Sequence, residues 1–326
     1  MRWVRENSAV TRIAAVQAAP VLLDREATLA KVDELTGEAA AAGADLVVFP
    51  EAFVPGYPDW VWRTTPWDGN HTRLTTLLLE QAVAVPGPAC DALAAAAARH
   101  RVHLCVGVDE REPHGATVYN TTLLLGPDGA LLQRHRKLMP TGGERLVWGM
   151  GDGSTLEVVP TPLGRIGALI CWENYMPLAR AALYAQGLDI LLAPTWDNSD
   201  VWVPTMRHIA KEGRCVVVGV NHCIRGSDVP ESLPGRDELY HGDGDWLSRG
   251  NSVIVGPEGE LLAGPLVESC GLVVADVDVA AIREARTRFD PVGHYARPDV
   301  LRLVVDRRRM DPVRFVDTPA AEDPPG

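Results

Sequence analysis

Residues Gly164–Arg180 read GRIGALICWENYMPLAR. The first part is an almost uninterrupted apolar run, which is typical of a buried strand, and the part after the cysteine is polar and then helical in pattern. Cys171 is therefore predicted to lie on a turn between a strand and a helix. Backbone N–H groups at the start of a helix favour negative charge, so they lower the pKa of a thiol and offer donors to a developing anion. This makes Cys171 a candidate nucleophile, and the competing interpretation is a small buried hydrophobe, the commonest role of a free cysteine.

The composition favours one large globular domain that binds a small molecule. The chain has 326 residues, 46% of them hydrophobic, with no long glycine- or proline-rich linker and no internal repeat. We predict a single domain over residues 1–300 and a partly disordered C-terminal tail over residues 301–326. The formal net charge of −12 disfavours nucleic acid and anionic membranes as partners, because both repel an acidic surface.

The sequence carries no pattern of secretion, membrane insertion or metal binding. Residues 1–19 lack a continuous apolar segment and a cleavage site, and no later apolar run approaches membrane-spanning length. The six cysteines form no CxxC pairs, and His208 and His222 lack metal-ligand spacing, so packing or loop roles are expected for both histidines. The glycines near 149–153 match no phosphate-binding loop. We expect a cytoplasmic protein with reduced thiols and without a metal or organic cofactor.

Two charged residues follow other predicted strands. Glu51 ends the apolar run Leu46–Pro50 and is followed by further apolar residues, so it is expected to be desolvated and to have a raised pKa. A hairpin signal at Pro127–Gly129 precedes the strand that ends at Lys137. For each residue the ordinary alternative is a solvated surface charge.

Together the three residues match an acyl-transfer site. Ligand crevices form at the carboxyl ends of strands in α/β proteins, which is where Glu51, Lys137 and Cys171 are expected. A carboxylate can deprotonate the thiol, the thiolate can attack an electrophilic carbon, and an ammonium group can stabilise the anion that forms. A neighbouring carboxylate would also keep Lys137 charged.

At these residues the chain resembles the nitrilase superfamily of carbon–nitrogen hydrolases, over roughly residues 10–300. Each matching run is moderately specific, and their order and spacing together are highly specific. The runs are Phe49-Pro50-Glu51-Ala52-Phe53, Arg136-Lys137-Leu138-Met139-Pro140-Thr141, Trp148-Gly149-Met150-Gly151-Asp152-Gly153-Ser154, Cys171-Trp172-Glu173-Asn174, Met176-Pro177-Leu178 and Val292-Gly293-His294-Tyr295-Ala296-Arg297-Pro298-Asp299.

The resemblance implies roles for four residues: Glu51 as general base, Lys137 as the residue that stabilises the intermediate, Cys171 as nucleophile and Glu144 as a second glutamate beside them. It also implies an α/β fold, an αββα sandwich that becomes a four-layer αββα-αββα core when two subunits pair through helices near the nucleophile. The sequence after Val300 is shorter than the C-terminal extension of spiral-forming microbial nitrilases, whereas residues 225–249 resemble insertions that mediate subunit contacts. A homodimer or larger homo-oligomer is expected, and spiral assembly stays open.

The implied activity is hydrolysis of a nitrile to a carboxylic acid and ammonia through a covalent cysteine intermediate. An amidase of the same superfamily is the main alternative, and the CWEN and WGMGDGS runs favour a nitrilase. A non-catalytic binding protein would not need the intact glutamate, lysine and cysteine. Tyr57, Trp172, Thr195 and Trp196 are candidate substrate-pocket residues, with simple packing as the alternative. Their aromatic character favours aromatic or arylaliphatic nitriles, but aliphatic nitriles, cyanoalanine-like nitriles and cyanide stay open, as does the ratio of acid to amide.

Overall fold

The computed structural model describes residues 10–240, 245–310 and 313. Its strands form two mixed sheets, and element labels follow chain order. The first sheet has the strand order β13 (Gly271–Asp278), β1 (Val10–Gln17), β2 (Leu46–Val48), β3 (His103–Arg111), β4 (Val118–Leu125) and β5 (Leu131–Arg136). The second has the order β10 (Cys223–Arg225), β11 (Trp246–Val255), β9 (Val216–Asn221), β8 (Ile190–Thr195), β7 (Gly164–Ala168) and β6 (Val159–Thr161), and β12 (Leu261–Val267) pairs with β11.

Helices cover the outer faces of both sheets. α1 (Arg25–Ala41) and α3 (Pro88–His100) pack on the first sheet, and α4 (Pro177–Tyr184) and α5 (Trp202–Gly213) pack on the second. The other helices are α2 (Gly69–Gln81), α6 (Arg236–Leu239) and α7 (Val279–Arg288). The resulting order of layers, helix, sheet, sheet, helix, confirms the αββα sandwich.

The alternation of side chains along β1 shows why the strands read as apolar runs. Ala14 and Val16 face α1 and α3, whereas Ile13 and Ala15 face the space between the sheets, and all four are buried. Successive strand residues point to opposite faces, so a sheet covered on both sides needs apolar residues at every position. Asp24 caps the start of α1, because its carboxylate accepts a hydrogen bond from the backbone N–H of Ala27 at 3.0 Å.

Several expected boundaries differ from the structure. The sequence pattern from Leu74 toward Val85 predicts a helix, but α2 begins earlier, at Gly69, where the Asp68 side chain caps it, and ends at Gln81. The apolar pattern of Leu156–Val159 predicts a strand, but the strand lies slightly later, as β6, and forms a hairpin with β7. The predicted turn from strand to helix at the nucleophile contains an extra 3-10 turn, Cys171–Tyr175, before α4 begins.

The segment over residues 225–249, which resembles insertions that mediate subunit contacts, is partly packed against the body of the protein. Val229, Leu233 and Tyr240 are buried in a cluster with Trp60. The α6 turn lies within this excursion, and residues 241–244 lie outside the described part of the chain.

Most of the predicted C-terminal tail lies outside the described residues, including the last dozen positions that were expected to be disordered. Residues 301–310 are described and form neither helix nor strand. Within the described ranges, none of the helices combines the length and apolar character that a transmembrane span requires.

Gly107 on β3 allows the loop that carries Glu51 to approach the sheet closely. Its N–H donates to the carbonyl of Pro50, and a Cβ atom at this position would lie 2.3 Å from that oxygen and 2.5 Å from the nitrogen of Ala52. Both contacts are with backbone, which cannot move aside as a side-chain end can.

We therefore expect Gly107→Ala to lower the free energy of unfolding by about 1–3 kcal/mol, the usual cost of overpacking. Urea unfolding monitored by tryptophan fluorescence measures the change. Gly69→Ala is the matched control, because nothing lies within 4 Å of a Cβ there and the expected change stays within about 0.5 kcal/mol. Equal stability of the two variants would contradict the steric argument.

Candidate active site

The predicted catalytic residues meet at one end of the two sheets. Glu51 follows β2 and Lys137 directly follows β5 in the first sheet, whereas Cys171 follows β7 in the second. The Nζ atom of Lys137 lies 3.2 Å from Glu51 Oε2, and the Cys171 side chain is close enough to Glu51 to influence the pKa of its carboxyl group. All three side chains are almost completely buried. The expectation that these strand ends share one site is therefore supported by direct contacts.

Glu144 lies in the same cluster. Its Oε2 accepts a hydrogen bond from Lys137 Nζ at 2.8 Å, and its Oε1 accepts one from the hydroxyl of Tyr57 at 2.8 Å. Glu144 lies in the 3-10 turn Gly142–Leu146, and its Oε2 also accepts a hydrogen bond at 2.6 Å from the backbone N–H of Thr141, the residue before the turn. A single buried ammonium group thus bridges two buried carboxylates.

The electrostatics of the cluster keep Lys137 charged and Glu51 basic. Burial raises the pKa of Glu51, and although the Lys137 charge lowers it, the repulsion from Glu144 adds to the rise. Burial alone would lower the pKa of Lys137, but attraction to Glu51 and the other anionic groups raises it above the ordinary value. Two donors orient Glu51: the backbone N–H of Trp196 at 2.6 Å and the Asn120 side chain at 2.7 Å.

The thiol of Cys171 differs from the expectation in one respect. Burial, followed by repulsion from Glu51, raises its pKa well above the ordinary value, and the Lys137 charge only partly opposes this. The prediction that a helix start lowers the pKa was wrong, because desolvation and a contacting carboxylate dominate. The backbone of Cys171 has a φ of 53°, a left-handed conformation that costs energy for a residue with a side chain. The resting site therefore pairs a protonated nucleophile with a nearby base.

The predicted pocket residues divide into two groups. Tyr57 and Trp196 stack face to face with ring centroids 4.2 Å apart, and Thr195, the last residue of β8, is close enough to Cys171 to lower the pKa of its thiol slightly. These three residues adjoin the catalytic cluster. Trp172 is instead half exposed, and its indole N–H donates to the carboxylate of Asp197 at 2.9 Å. Its side chain is therefore held beside the site and not between the catalytic groups.

Sequence reasoning missed two residues that support Glu51. Asn120 on β4 donates to its carboxylate, and His222 Nε2 lies 2.7 Å from its backbone carbonyl oxygen. Burial lowers the pKa of His222 to about 4, so the ring is neutral and Nε2 must carry the proton that it donates to that oxygen. His222 also packs against Phe53 and Trp196, which is the packing role expected for it. The sequence signal that could have identified them is a polar residue within an apolar strand, as for Asn120, or just after one, as for His222.

The described residues contain no group of three or more histidine, cysteine, aspartate or glutamate side chains arranged to hold a metal ion. The chemistry that the site supports directly is nucleophilic attack by a thiol, proton transfer by a carboxylate and stabilisation of an anion by an ammonium group.

Comparison with known proteins identifies the family of the chain. The family model for carbon-nitrogen hydrolases matches residues 12–287. The chain is 48% identical over 301 residues to an aliphatic nitrilase of Sinorhizobium fredii (strain HH103), covering 90% of this chain and 95% of that protein. It is 45% identical to the bifunctional nitrilase/nitrile hydratase NIT4B of Nicotiana tabacum, covering 96% and 90%. The fold matches that of a carbon-nitrogen hydrolase from Helicobacter pylori G27 with a TM-score of 0.70 and 20% identity, covering 90% of this chain and 97% of that one.

We expect the reactivity of Cys171 to follow the ionisation of Glu51. As the pH falls through the raised pKa of Glu51, the base is protonated and alkylation of Cys171 by iodoacetamide should slow at a pH above 4.5, the ordinary glutamate value. Asn120→Leu removes a donor that lowers this pKa, so the decrease should move to higher pH. Peptide mass spectrometry of Cys171 measures the rate.

Thr122→Val is the control for this experiment. Thr122 lies on the same strand, is buried and has no hydrogen-bond partner for its Oγ1, so its loss should leave the pH profile unchanged. An Asn120→Leu profile that coincides with the wild-type profile would show that Glu51 does not control the thiol.

Proposed function

The chain belongs to the carbon-nitrogen hydrolase family, and from that premise we propose that it is a nitrilase. It converts an organic nitrile and two water molecules to a carboxylic acid and ammonia. The observation that carries the proposal is the buried contact of Lys137 with Glu51 and Glu144 next to the Cys171 thiol. Relatives named as nitrilases that are 44–48% identical over at least 90% of the chain support the substrate class.

The first chemical step forms a bond between sulfur and carbon. Glu51 removes the proton of Cys171 as the sulfur attacks the nitrile carbon, and that proton is delivered to the nitrile nitrogen, which gives a thioimidate. The proton transfer leaves the number of negative charges in the cluster unchanged, and the Lys137 ammonium group favours the anionic form of both Glu51 and Cys171. Lys137 donates a hydrogen bond to the nitrogen as negative charge develops there.

The later steps consume two water molecules. The first adds to the thioimidate and ammonia leaves, which produces a thioester; the second hydrolyses the thioester and restores the thiol. We assign Glu144 to these steps, because its carboxylate contacts Lys137 and Tyr57, whereas Glu51 is the carboxylate that acts more strongly on the thiol. If the adduct formed by the first water expels the cysteine sulfur in place of ammonia, the product is an amide. An amide is the product of a nitrile hydratase, the second activity in the name of the tobacco relative.

The contacts of the aromatic pocket residues weaken the sequence-based preference for an aromatic nitrile, because these side chains are already engaged with other residues. Tyr57 and Trp196 present faces to each other, and Trp172 is held by Asp197. Release of ammonia from a panel of aryl, arylacetic, aliphatic and amino-acid-derived nitriles and cyanide, with the matching amides, identifies the substrate. Faster turnover of amides than of nitriles would favour an amidase instead.

We expect two variants to stop the reaction at different stages. Glu51→Gln cannot accept the thiol proton, so no covalent adduct should form and turnover should fall by at least about 10²-fold. Glu144→Gln should slow the hydrolytic steps more than the addition step, so the thioimidate or thioester on Cys171 should accumulate. Intact-protein mass spectrometry after mixing with a nitrile substrate detects both outcomes.

Cys171→Ala is the control for this experiment, because it removes the nucleophile and should show neither adduct nor ammonia release. Adduct in Glu51→Gln equal to that in the wild type, or its absence in Glu144→Gln, would mean that the two carboxylates have other roles. Ammonia release by folded Cys171→Ala would refute covalent catalysis.

We also propose that the protein forms a homodimer through α4 and the start of α5, which would produce the four-layer core. Met176, Leu178 and Val201 are exposed apolar residues on this surface, close in sequence to the nucleophile or to Thr195. Apolar residues grouped in this way mark interfaces more often than free surfaces.

Leu178→Glu should therefore weaken the dimer, because pairing would bury a charge. Sedimentation equilibrium should show a smaller mean mass for this variant than for the wild type. Leu131→Glu, on an exposed apolar residue at the start of β5, should leave the mass unchanged. A fully dimeric Leu178→Glu protein would place the interface elsewhere.

A further inference from the structure

Another buried carboxylate, that of Glu173, joins the two chain segments that carry Lys137 and Cys171. Its Oε1 accepts a hydrogen bond from the backbone N–H of Leu138 at 2.7 Å, and its Oε2 accepts one from the backbone N–H of Ile170 at 2.6 Å. Leu138 directly follows Lys137, and Ile170 directly precedes Cys171. One side chain therefore connects the end of β5 in the first sheet with the loop after β7 in the second.

His135 completes the surroundings of this carboxylate. Its Nε2 lies 3.1 and 3.2 Å from the two oxygens of Glu173, and its Nδ1 lies 3.3 Å from the backbone carbonyl and 3.2 Å from the hydroxyl of Thr155. Burial alone lowers the pKa of His135, but attraction to Glu173, with a smaller contribution from Glu157, raises it above the ordinary value. A protonated ring donates at both nitrogens, to Glu173 and to Thr155.

This arrangement satisfies a buried charge with three donors. A buried carboxylate is costly unless it is paired and hydrogen-bonded, and Glu173 is 1% exposed. Each oxygen has its own backbone donor, so rotating or replacing either oxygen leaves one N–H without a partner. The carboxylate thus fixes the separation of two backbone segments and not merely the position of one.

We propose that Glu173, held by His135, is a positioning residue that sets the distance between the Lys137 ammonium group and the Cys171 thiol. The proposal rests on the nitrilase function proposed above. In that reaction the sulfur attacks the nitrile carbon while the ammonium group binds the adjacent nitrogen, so both groups must reach two neighbouring atoms at once. A displacement of about 1 Å between catalytic groups can cost about 10²-fold in rate.

The test compares Glu173→Gln and His135→Gln with the wild type. In Glu173→Gln an NH₂ group faces one of the two backbone N–H donors, so we expect kcat and the rate of adduct formation on Cys171 to fall by about 10²-fold, with a smaller change in KM. In His135→Gln a donor to Glu173 remains but does not titrate, and we expect a smaller loss of rate than in Glu173→Gln.

The pH profile separates positioning from simple stabilisation. The charged pair is present at low pH and is lost as the pH rises through the raised pKa of His135, so the wild-type adduct rate should contain an alkaline decrease from this group. The charged groups that face His135 are Glu173, on the turn after the nucleophile, and Glu157, near β6. The adduct rate of His135→Gln should lack this alkaline decrease. If the rate of His135→Gln depends on pH in the alkaline range as the wild-type rate does, the proposal is overturned.

Glu110→Gln is the matched control. Glu110 is also a buried carboxylate with three side-chain partners, Thr121, Arg134 and Arg136, but none of them belongs to the catalytic cluster. It should lose stability while each folded molecule retains wild-type kcat. If Glu173→Gln behaves in the same way, the role is only structural and the inference fails.

Two further outcomes are distinguishable. If Glu173→Gln does not fold, His135→Gln decides through its rate and pH profile. If the wild type hydrolyses no nitrile, the proposed function fails first, whereas an active wild type with an equally active, folded Glu173→Gln variant overturns this inference alone.

Discussion

The site depends on an ammonium group buried between two carboxylates. Lys137 is 1% exposed and contacts Glu51 and Glu144 at 3.2 and 2.8 Å. Removing one partner from such a cluster leaves an uncompensated buried charge, which costs far more than a surface ion pair contributes. Burial raises the pKa of the neighbouring Cys171 thiol, and because two carboxylates surround one ammonium group, repulsion from Glu51 and Glu144 adds to the rise while the Lys137 charge only partly opposes it. The electrostatics that hold Lys137 thus also keep the resting nucleophile protonated.

The fold produces this cluster because two sheets contribute different groups to one edge. The first sheet supplies the base and the ammonium group, after β2 and β5, and the second supplies the nucleophile after β7. Between them lies a layer of small and branched apolar residues, including Ala15 and Ala168, that lets the sheets approach. The distances between the nucleophile and the other two catalytic groups therefore depend on how the two sheets pack. This packing is rigid, because protein interiors are packed as densely as organic crystals.

Much of this arrangement could be predicted from the sequence, for an identifiable reason. Glu51 and Cys171 each follow an apolar run, and the hairpin signal at Pro127–Gly129 predicts the strand that ends at Lys137, so all three strand ends are visible without a structure. Asn120 and Glu173 were not predicted as supporting residues, because their partners are distant in the sequence and a single amide or carboxylate carries no periodic signal. The pKa of the thiol was predicted in the wrong direction, since local backbone geometry is readable from the sequence but the depth of burial is not.

Both catalytic loops contain a residue in the left-handed region, and this links the fold to the chemistry. Ala52, next to Glu51, has a φ of 45°, and Cys171 has a φ of 53°. Such conformations persist only where the surroundings overdetermine them. The first loop lies against Gly107, and Asn174 Nδ2 holds the second by donating to the carbonyls of Leu169 and Cys171. The strain is thus borne by the fold before substrate arrives, so the base and thiol need little reorganisation during the reaction, which is the condition under which electrostatic preorganisation lowers a barrier.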